Sequence, residues 1–444
     1  AREKKMAGYL PQDAPPWGAL ISLGVQHVLT MFPATVLVAI LTGFDVGVTL
    51  FGSGVATIIA IIGSRGRIPL YYGSSFSYIA PVIAVVGAEW GGVPVAQVGI
   101  VATAVVNILA GLLIRQTGKE GLDRVLPPIV TGSVAVVIGV ALAKTALDMA
   151  SANWVVALVT LVSTIVFSVY LRGRGLLGML PVLLGAVVGY GVSLALGQVV
   201  FTPVAEAPWL ALPAFTLPAF GNPNAWKAML AIAPIAIATI PESTAHLYQI
   251  SLYVDHLAEE MGREPLKIKN LIGLNLILDG VGDGINGLLG GCAGTNYGEN
   301  NSLMAITRNY SAPVLVAAGV IAVLLAFVGK LSALVGTLPT AVTGGLAIYL
   351  FGVIGLQGIA LIQAEKVNLF DPRQLAIGAV ILVVGLGGAA FEGGAIPFFG
   401  LQLPSIATAA VLGIVLNLLF VLIPVREPKP SGAEAVTESA GAGD

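Results

Sequence analysis

Long apolar blocks with almost no charge set the strongest limit on how this chain folds. Blocks of about 20 apolar residues recur along the sequence, the length that an α-helix needs to cross a hydrocarbon core of roughly 30 Å. Only 10% of the 444 residues are charged, against roughly 25% in a soluble domain. The chain is therefore predicted to be an all-α polytopic membrane protein. The blocks lack period-two alternation, which excludes a membrane β-barrel.

Charge and cysteine content exclude several function classes. The net charge is −2 and no lysine-rich run is present, so no nucleic-acid partner is expected. Cys292 is the only cysteine, which leaves no intrachain disulfide and no cysteine cluster for zinc or iron–sulfur. Residues 1–16 lack a compact apolar core and are predicted to be a tail rather than a signal peptide. Residues 428–444, rich in Gly, Ala, Ser and Glu, are predicted to be a disordered tail.

Hydropathy and basic residues together predict fourteen spans with both termini in the cytoplasm. The spans begin near residues 17, 46, 68, 92, 125, 153, 176, 226, 268, 294, 311, 333, 373 and 404. Cytoplasmic loops are enriched in Lys and Arg. With an inside N-terminus, only Lys144, Lys227 and Lys330 of the 21 basic residues fall outside. A missed or extra span would put the basic residues of all later loops on the opposite side of the membrane.

Landmarks spaced by about half the chain predict an internal repeat. The runs Gly73–Phe76 and Gly294–Tyr297 are 221 residues apart, and His27 and His246 are 219 apart. Seven spans per copy is an odd number, so the second copy enters the membrane inverted, as in many transporters. Coincidence between common small-residue motifs is the alternative.

Spans 3 and 10 are the least convincing as plain helices. They are rich in Gly, Ser, Thr and Asn, whose side chains or flexibility weaken a helix. We expect each to hold a short extended segment followed by a half-helix, opening near Ser77 and near Glu299. Free N–H groups at such helix starts carry partial positive charge. Because broken spans are tolerated only where protein or water surrounds them, the two breaks predict a central polar pocket.

Ionisable residues inside a membrane are functional candidates by default. Glu242 and His246 in the eighth span are four residues apart and so share one helical face. Pro241 is expected to bend or start the helix there. The alternative is a structural Glu–His pair that locks two helices together.

The pocket's groups match a flat neutral molecule with alternating C=O and N–H groups. Glu242 and Glu299 accept hydrogen bonds, whereas the half-helix N–H groups and Ser75 donate them. Phe76 and Tyr297 are placed to stack on its faces. An inorganic anion fits poorly because ionised carboxylates repel it.

Three stretches carry a family resemblance over residues 17 to 424. The runs Ser22–His27, Gly73–Phe76 and Asn296–Arg308 resemble the nucleobase/ascorbate transporter family, closest to its bacterial uracil permeases. The resemblance implies a secondary active transporter of the bacterial inner membrane, a proton symporter for uracil with no cofactor, usually a homodimer in membrane lipid. It also implies an elevator-type movement of a core domain, 17–115 and 226–328, against a gate domain, 125–198 and 331–424.

The resemblance also implies roles for individual residues. The carboxylates of Glu242 and Glu299 hold the base. Backbone amides of Phe76 and Gly298 contact it, Ala34 and Tyr297 line the site, and His246 is tied to proton coupling.

Some positions depart from the family pattern and leave the substrate open between uracil and xanthine or another purine. Ser302 stands where the family has Gly, and Phe351 stands where uracil permeases carry Tyr. Asp279 and Asp283 are untypical of the uracil branch, whereas Glu299 favours uracil because xanthine-selective members tend to have Gln.

Supporting roles are predicted for His27 and Asp279 inside predicted spans, and for Phe351 on the gate side. His27 is expected to hydrogen-bond the neighbouring broken span rather than the substrate. Asp279 and Asp283 lie four apart and share a face toward water or toward span 8. Packing is the expected role of Asp283, and the role of Asp279 stays open between packing and function.

Glu242 is the hypothesised proton site. Only a protonated or substrate-paired Glu242 crosses a low-dielectric barrier at small cost. His246, one turn on, is placed to tune it or share the proton.

Three other function classes are alternatives to a nucleobase symporter. A sulfate or bicarbonate transporter of the same architecture should lack Glu242 and Glu299. A serine hydrolase pairing Ser74 or Ser75 with His27 or His246 would need an oxyanion site and an Asp orienter, which nothing marks. A structural or receptor role leaves the polar groups at two symmetric breaks unexplained. The protein is therefore predicted not to be an enzyme.

Overall fold

The computed structural model describes residues 8–426. The predicted disordered tail at 428–444 and the first seven residues of the predicted N-terminal tail lie outside the described residues.

Helices make up nearly all of the fold. The N-terminal half contains α1 Trp17–Thr42, α2 Val46–Gly63, strand β1 Tyr72–Ser74, α3 Ile79–Gly87, α4 Val93–Val125, α5 Pro128–Val140, α6 Ala143–Ala150, α7 Trp154–Tyr170, α8 Pro181–Ala195, α9 Thr202–Glu206 and α10 Ala225–Ile232. The C-terminal half contains α11 Ala236–Glu260, α12 Ile272–Leu289, strand β2 Gly294–Asn296, α13 Gly298–Thr307, α14 Ala312–Ala326, α15 Gly329–Gly336, α16 Thr340–Ala364, α17 Pro372–Ala389, strands β3 Ala395–Phe398 and β4 Leu401–Pro404, and α18 Ser405–Leu422.

Length and hydropathy identify the membrane-crossing elements. Within residues 8–426, eight helical segments are long and apolar enough to cross a membrane, and four apolar helices of 10–17 residues are shorter. The mostly helical, multi-pass membrane class predicted from the sequence is therefore confirmed.

Side-chain caps explain where several helices begin. Asp45 accepts a hydrogen bond from the N–H of Val48 at 2.8 Å at the start of α2. Asn153 caps α7 and Asp371 caps α17 in the same way. Such caps satisfy N–H groups that the first helical turn leaves free. Most predicted span starts agree with a helix start within five residues, but α16 begins at Thr340, seven residues after its predicted start.

The two broken spans meet as an antiparallel strand pair. Strand β1 pairs with β2 in the register Tyr72↔Asn296, Gly73↔Thr295 and Ser74↔Gly294. All six residues are buried. A turn of 3-10 helix opens at Phe76 after β1, and α13 opens at Gly298 after β2. The predicted extended segments with following half-helices are confirmed, with each helix starting one residue earlier than expected.

Helix packing falls into two groups. In the first, α4 packs on α12, α2 packs on α12 and α14, and α1 packs on α14. In the second, α5 packs on α16 and α17, α17 packs on α18, and α7 packs on α8 and α16. Strand pair β1–β2 belongs to the first group through α2 and α12.

Glycines bring paired helices into backbone contact. A Cβ at Gly54 of α2 would lie 2.5 Å from the carbonyl oxygen of Gly319 in α14, and one at Gly319 would lie 2.9 Å from that of Gly54. Gly132 and Gly358 make the same close approach between α5 and α16. Since lipid gives helices no hydrophobic reason to associate, such close packing is a main source of their attraction.

The structure differs from the sequence expectations at two places. Residues 8–13 are docked rather than free: Tyr9 N donates to Arg308 O at 3.0 Å, Tyr310 N donates to Tyr9 O at 2.9 Å, and Leu10 is fully buried. Pro241 lies inside α11 and does not start it, because the chain is already helical from Ala236 after a 3-10 turn at Ala233–Ile235.

A glycine pair tests the close packing of α2 on α14. We expect Gly54→Ala to lower stability by about 1–3 kcal/mol because the new methyl group meets the Gly319 carbonyl. The control Gly191→Ala, inside α8 with nothing within 4 Å of an added Cβ, should raise stability by about 0.5–1 kcal/mol. Thermal unfolding of both purified variants measures the difference, and equal melting temperatures would contradict the packing described.

Candidate functional site

A cavity of about 1010 Å³ lies beside the strand pair. Every residue predicted to bind substrate lines it, together with the predicted proton-coupling histidine: Ala34, Ser75, Phe76, Glu242, His246, Tyr297, Gly298 and Glu299. Four separate elements contribute these residues, namely α1, the turn after β1, α11 and the start of α13. The cavity therefore gathers the two breaks and the eighth predicted span at one place.

Two carboxylates face the cavity without protein partners. Glu242 of α11 and Glu299 of α13 both have exposed side chains. Among residues 8–426, neither forms a hydrogen bond or an ion pair, whereas Asp279 and Asp283 near the strand pair both accept hydrogen bonds. Unengaged acceptors in a cavity are available to a ligand with N–H groups.

Helix starts supply donors beside these carboxylates. Helix α13 begins at Gly298 with no side-chain cap, and Glu299 lies in its first turn. On the other strand, Ser75 caps the 3-10 turn by accepting from Ser77 N at 3.2 Å. The Ser75 hydroxyl proton is not used by that cap. The uncapped first turn of α13 therefore offers N–H groups with partial positive charge to the cavity.

Tyr297 has a structural role as well as a place in the cavity wall. Its hydroxyl donates to Ser74 O at 2.7 Å and lies 2.9 Å from Thr35 Oγ1. Its ring packs against Gly73, where an added Cβ would come within 2.4 Å of the ring. Tyr297 thus clamps α1 to the strand pair, and its hydroxyl is not free for a substrate.

Hydrogen bonds fix the ring of His246. Nδ1 lies 2.9 Å from Asn296 Oδ1 and 3.0 Å from Asn296 O. Both partners are acceptors, because the Asn296 amide nitrogen is used elsewhere, so Nδ1 carries the proton. Nε2 is left to face Gly298, where an added Cβ would approach it to 2.8 Å. The histidine ring is therefore held at the start of α13 with Nε2 toward Gly298.

A buried polar network continues behind His246. The Asn296 amide donates to Ser243 Oγ at 2.9 Å, and so does Asn275 Nδ2. The Ser243 hydroxyl in turn donates to Asp279, so its one donor and two acceptor sites are all used. Asp279 therefore points toward α11, the predicted eighth span, and connects to the cavity through Ser243 and Asn296.

Asp283 is the hydrogen-bond acceptor for three different elements. Its carboxylate accepts from the Tyr72 hydroxyl of β1, from Asn107 Nδ2 of α4 at 2.7 Å, and from Gly294 N of β2 at 2.8 Å. The residue is fully buried. These contacts agree with the packing role predicted for Asp283. They also differ from those of Asp279, which accepts a hydrogen bond from Ser243 of α11.

His27 and Phe351 do not line the cavity. His27 is buried in α1, and its Nδ1 lies 3.0 Å from Asn300 Nδ2 of α13, which is the kind of contact with the broken span that the sequence predicts. Phe351 of α16 is buried in an apolar cluster, while its neighbours Leu350, Val353 and Ile354 face the cavity. A hydroxyl at position 351 would therefore point away from the cavity.

The residues of the opposite cavity wall were not predicted from the sequence. Thr131 of α5 and Gln357 of α16 line this wall. Gln357 is a polar residue in the middle of a mainly apolar helix, and this is the sequence signal that could have identified it. The cavity extends to Lys119, Asp123 and Glu365, where Lys119 and Asp123 form an ion pair of 3.3 Å.

Metal binding has no support in the part of the chain that the structure describes. No group of three or more His, Cys, Asp or Glu side chains there is arranged to hold a metal ion.

Comparison with known proteins identifies the family. Residues 18–393 match the family profile Xan_ur_permease, described as "Permease family". The chain belongs to this permease family. It is 38% identical over 438 residues to a uracil permease of Bacillus caldolyticus, covering 96% of both chains. It is 36% identical over 431 residues to a uracil permease of Bacillus subtilis, covering 94% of this chain and 96% of the relative. The predicted family is confirmed, and the chain is a transporter rather than an enzyme.

Solved structures show that the permease shares its fold with transporters of remote sequence. The structure of murine Solute Carrier 26 family member A9, an anion transporter in the inward-facing state, superposes with a TM-score of 0.66 at 12% identity. It covers 96% of this chain and 73% of that chain. At this identity the likeness concerns the fold alone.

The three-way contact of Asp283 gives a test of the site's scaffold. We expect Asp283→Asn to lower stability by about 1–3 kcal/mol, because its new NH₂ group must face another donor. The exchange Asn107→Asp combined with Asp283→Asn restores one donor–acceptor pair and should recover part of the loss. Thermal unfolding measures the stability of each variant. The control is Asp148→Asn, because Asp148 lies in an exposed ion pair. A melting temperature of Asp283→Asn equal to that control would contradict the assigned contacts.

Proposed function

We propose that the permease imports a nucleobase, uracil, by proton symport. The observation that carries the proposal is the pair of unengaged carboxylates, Glu242 and Glu299, in one cavity with the uncapped start of α13. Relatives with 36–38% identity over nearly the whole chain are named uracil permeases. Uracil presents N–H and C=O groups in one plane, which matches acceptors and donors that lie side by side.

The proposed binding mode uses both halves of the strand pair. Glu299 and Glu242 accept the N–H groups of the base, and the backbone N–H groups of Phe76 and Gly298 donate to its carbonyl oxygens. Ser75 adds a hydroxyl donor, the Phe76 ring covers one face, and Ala34 and Tyr297 close the wall. Since Tyr297 is already hydrogen-bonded to Ser74 and Thr35, its contribution is shape.

Glu242 is the proposed proton site, with His246 as its neighbour on the same helical face. The fixed Nδ1 proton of His246 leaves Nε2 as the only ring nitrogen that can exchange a proton near the cavity. A charged, unpaired Glu242 opposes movement of the binding site through the membrane, because a charge in a low-dielectric region is costly. Protonation of Glu242 together with substrate binding removes that cost, and so couples proton transport to substrate transport.

The proposed architecture has fourteen spans in two inverted repeats of seven, with both termini in the cytoplasm. Residues 17–115 and 226–328 form the core domain, and 125–198 and 331–424 form the gate domain. The two groups of packed helices support this division, since α1, α2, α4, α12 and α14 pack together and α5, α7, α8, α16, α17 and α18 pack together. An elevator movement of core against gate, in a homodimer of the bacterial plasma membrane, completes the proposal.

An anion transporter is the second candidate, because the fold is shared with one. The electrostatics of the cavity oppose it, since two carboxylates line the site and repel an anion. A purine-selective symporter is the other alternative. The observation that favours it is Ser302, which lines the cavity at a position where the family has Gly.

A ligand panel tests the substrate. We expect uracil to raise the melting temperature of the detergent-purified permease, because a ligand that binds only the folded state stabilises it. Xanthine, hypoxanthine, sulfate and bicarbonate should give no shift. Glu299→Gln should weaken uracil binding by roughly 10- to 100-fold, since a hydrogen bond to a charged group contributes about 1.5–3 kcal/mol. Stabilisation by xanthine would reassign the substrate to purines, and stabilisation by anions alone would overturn the carboxylate pocket.

Proton coupling is tested by Glu242→Gln in proteoliposomes. We expect loss of uracil accumulation driven by a pH gradient, because glutamine cannot release a proton, while exchange of labelled for unlabelled uracil persists. Glu259→Gln, an exposed carboxylate on the same helix, is the matched control and should accumulate uracil normally. Full gradient-driven uptake by Glu242→Gln would remove Glu242 from the coupling step.

A further inference from the structure

A second, smaller cavity lies outside the candidate site and is strongly basic. Its volume is about 390 Å³, and its wall includes Arg67, Arg115, Lys119 and Lys269. Three parts of the chain contribute these cations: the turn after α2, the last turns of α4, and the 3-10 turn Ile268–Leu271 before α12. Lys119 also lines the larger cavity, so the two cavities are neighbours.

Within residues 8–426, three of the four cations of this pocket form no ion pair. Lys119 pairs with Asp123 at 3.3 Å, but Asp123 does not line the pocket. Arg67, Arg115 and Lys269 are exposed and form no ion pair with a described residue. Like charges gathered in one concave site repel each other unless an anion joins them.

The pocket also has donors and a rigid frame. Asn270 and the first residues of α12 line it, and α12 begins without a side-chain cap, so its free N–H groups add to the positive potential. The stem of Arg115 lies across Gly273, where an added Cβ would come within 2.1 Å of it. Ser251 accepts from Lys269 N at 2.9 Å and holds the 3-10 turn. A phosphate group is an anion that such a set of donors suits.

The neighbouring surface of α4 is apolar and exposed. Leu109, Leu112 and Leu113 are 55%, 48% and 65% exposed, and Leu112 lies three residues before Arg115, on the same helical face. In a membrane-spanning helix this surface faces lipid chains. The basic pocket therefore lies where the apolar surface ends, at the depth of the headgroups.

We propose that this pocket binds a phosphate group, and that the phosphate is the headgroup phosphate of an anionic phospholipid whose chains lie along α4. Basic pockets between helices at the membrane surface attract such headgroups. Binding joins the turn after α2, α4 and the start of α12, and so braces α12, which carries Asp279 and Asp283, against α4.

Titration of phosphatidylglycerol into the permease in neutral detergent tests the proposal, with melting temperature as the readout. Phosphatidylcholine with the same chains and inorganic pyrophosphate are titrated in parallel. The test variant is Arg67→Gln/Arg115→Gln/Lys269→Gln, which leaves Lys119 of the larger cavity intact. The control is Arg172→Gln/Arg174→Gln, which removes exposed cations between α7 and α8.

Wild type and control should be stabilised by phosphatidylglycerol and not by phosphatidylcholine. The triple variant should need about 100-fold more phosphatidylglycerol, since each cation near an anionic surface strengthens binding about 5-fold. Identical titrations for all three proteins would overturn the site. Stabilisation by pyrophosphate but not by phosphatidylglycerol would overturn the lipid as the source of the phosphate.

A measurement on the unaltered chain guards against misfolding of the triple variant. Hydrogen exchange of residues 268–274 should be slower in nanodiscs of phosphatidylglycerol than in nanodiscs of phosphatidylcholine. Equal exchange in the two lipids would contradict the proposal. Neither experiment depends on uracil transport.

Discussion

The pairing of β1 with β2 is the interaction on which the rest of the structure depends. Each strand has only three residues, and both are buried among membrane-spanning helices, where an unpaired backbone group is costly. Beyond their mutual register, side chains from several helices satisfy the remaining groups. Ser53 of α2 donates to Tyr72 O at 2.6 Å, and Asp283 of α12 accepts from Gly294 N at 2.8 Å. Broken spans are tolerated here because these contacts pair backbone groups of both strands.

The pairing of β1 with β2 determines which hydrogen-bond donors and acceptors face the cavity. Two helices begin beside the strands, so their free N–H groups and the carboxylates next to them face the same space. On this side the polar groups are fixed by networks that end at buried Asp279 and Asp283. On the opposite side the wall from α5 and α16 is mainly apolar, with Thr131 and Gln357 as exceptions. The movement proposed for the two groups of helices would therefore break few hydrogen bonds across the cavity.

Periodicity and composition were sufficient to predict the positions of most helices and both breaks. The apolar blocks predicted most helix starts, because membrane-spanning length and charge leave few alternatives. The small polar residues after Gly73 and Gly294 predicted the extended segments for a local reason, the weakness of such residues in helices. Apolar blocks and clusters of small polar residues are properties of neighbouring residues, so both could be recognised in the sequence alone.

What the sequence left out depends on contacts between distant residues. The docking of Leu10 and Tyr9 on the segment around Arg308 needs a surface formed by α11, α13 and α14. The use of the Tyr297 hydroxyl by Thr35 and Ser74, and the different partners of Asp279 and Asp283, follow from packing of elements far apart in the chain. Phe351 points away from the cavity because the rotation of α16 is set by its glycine contacts with α5. No local pattern carries that information.

The strand pair also constrains how the protein is made. Tyr72 and Gly294 are 222 residues apart in the chain, so at roughly 5–20 residues per second the ribosome needs about 10–45 s to deliver the partner of β1. During that interval the first break waits in the membrane with an open hydrogen-bonding edge. Helices α1 to α4 insert before their central support exists. The backbone groups of β1 gain their strand partners only when the second half of the chain arrives.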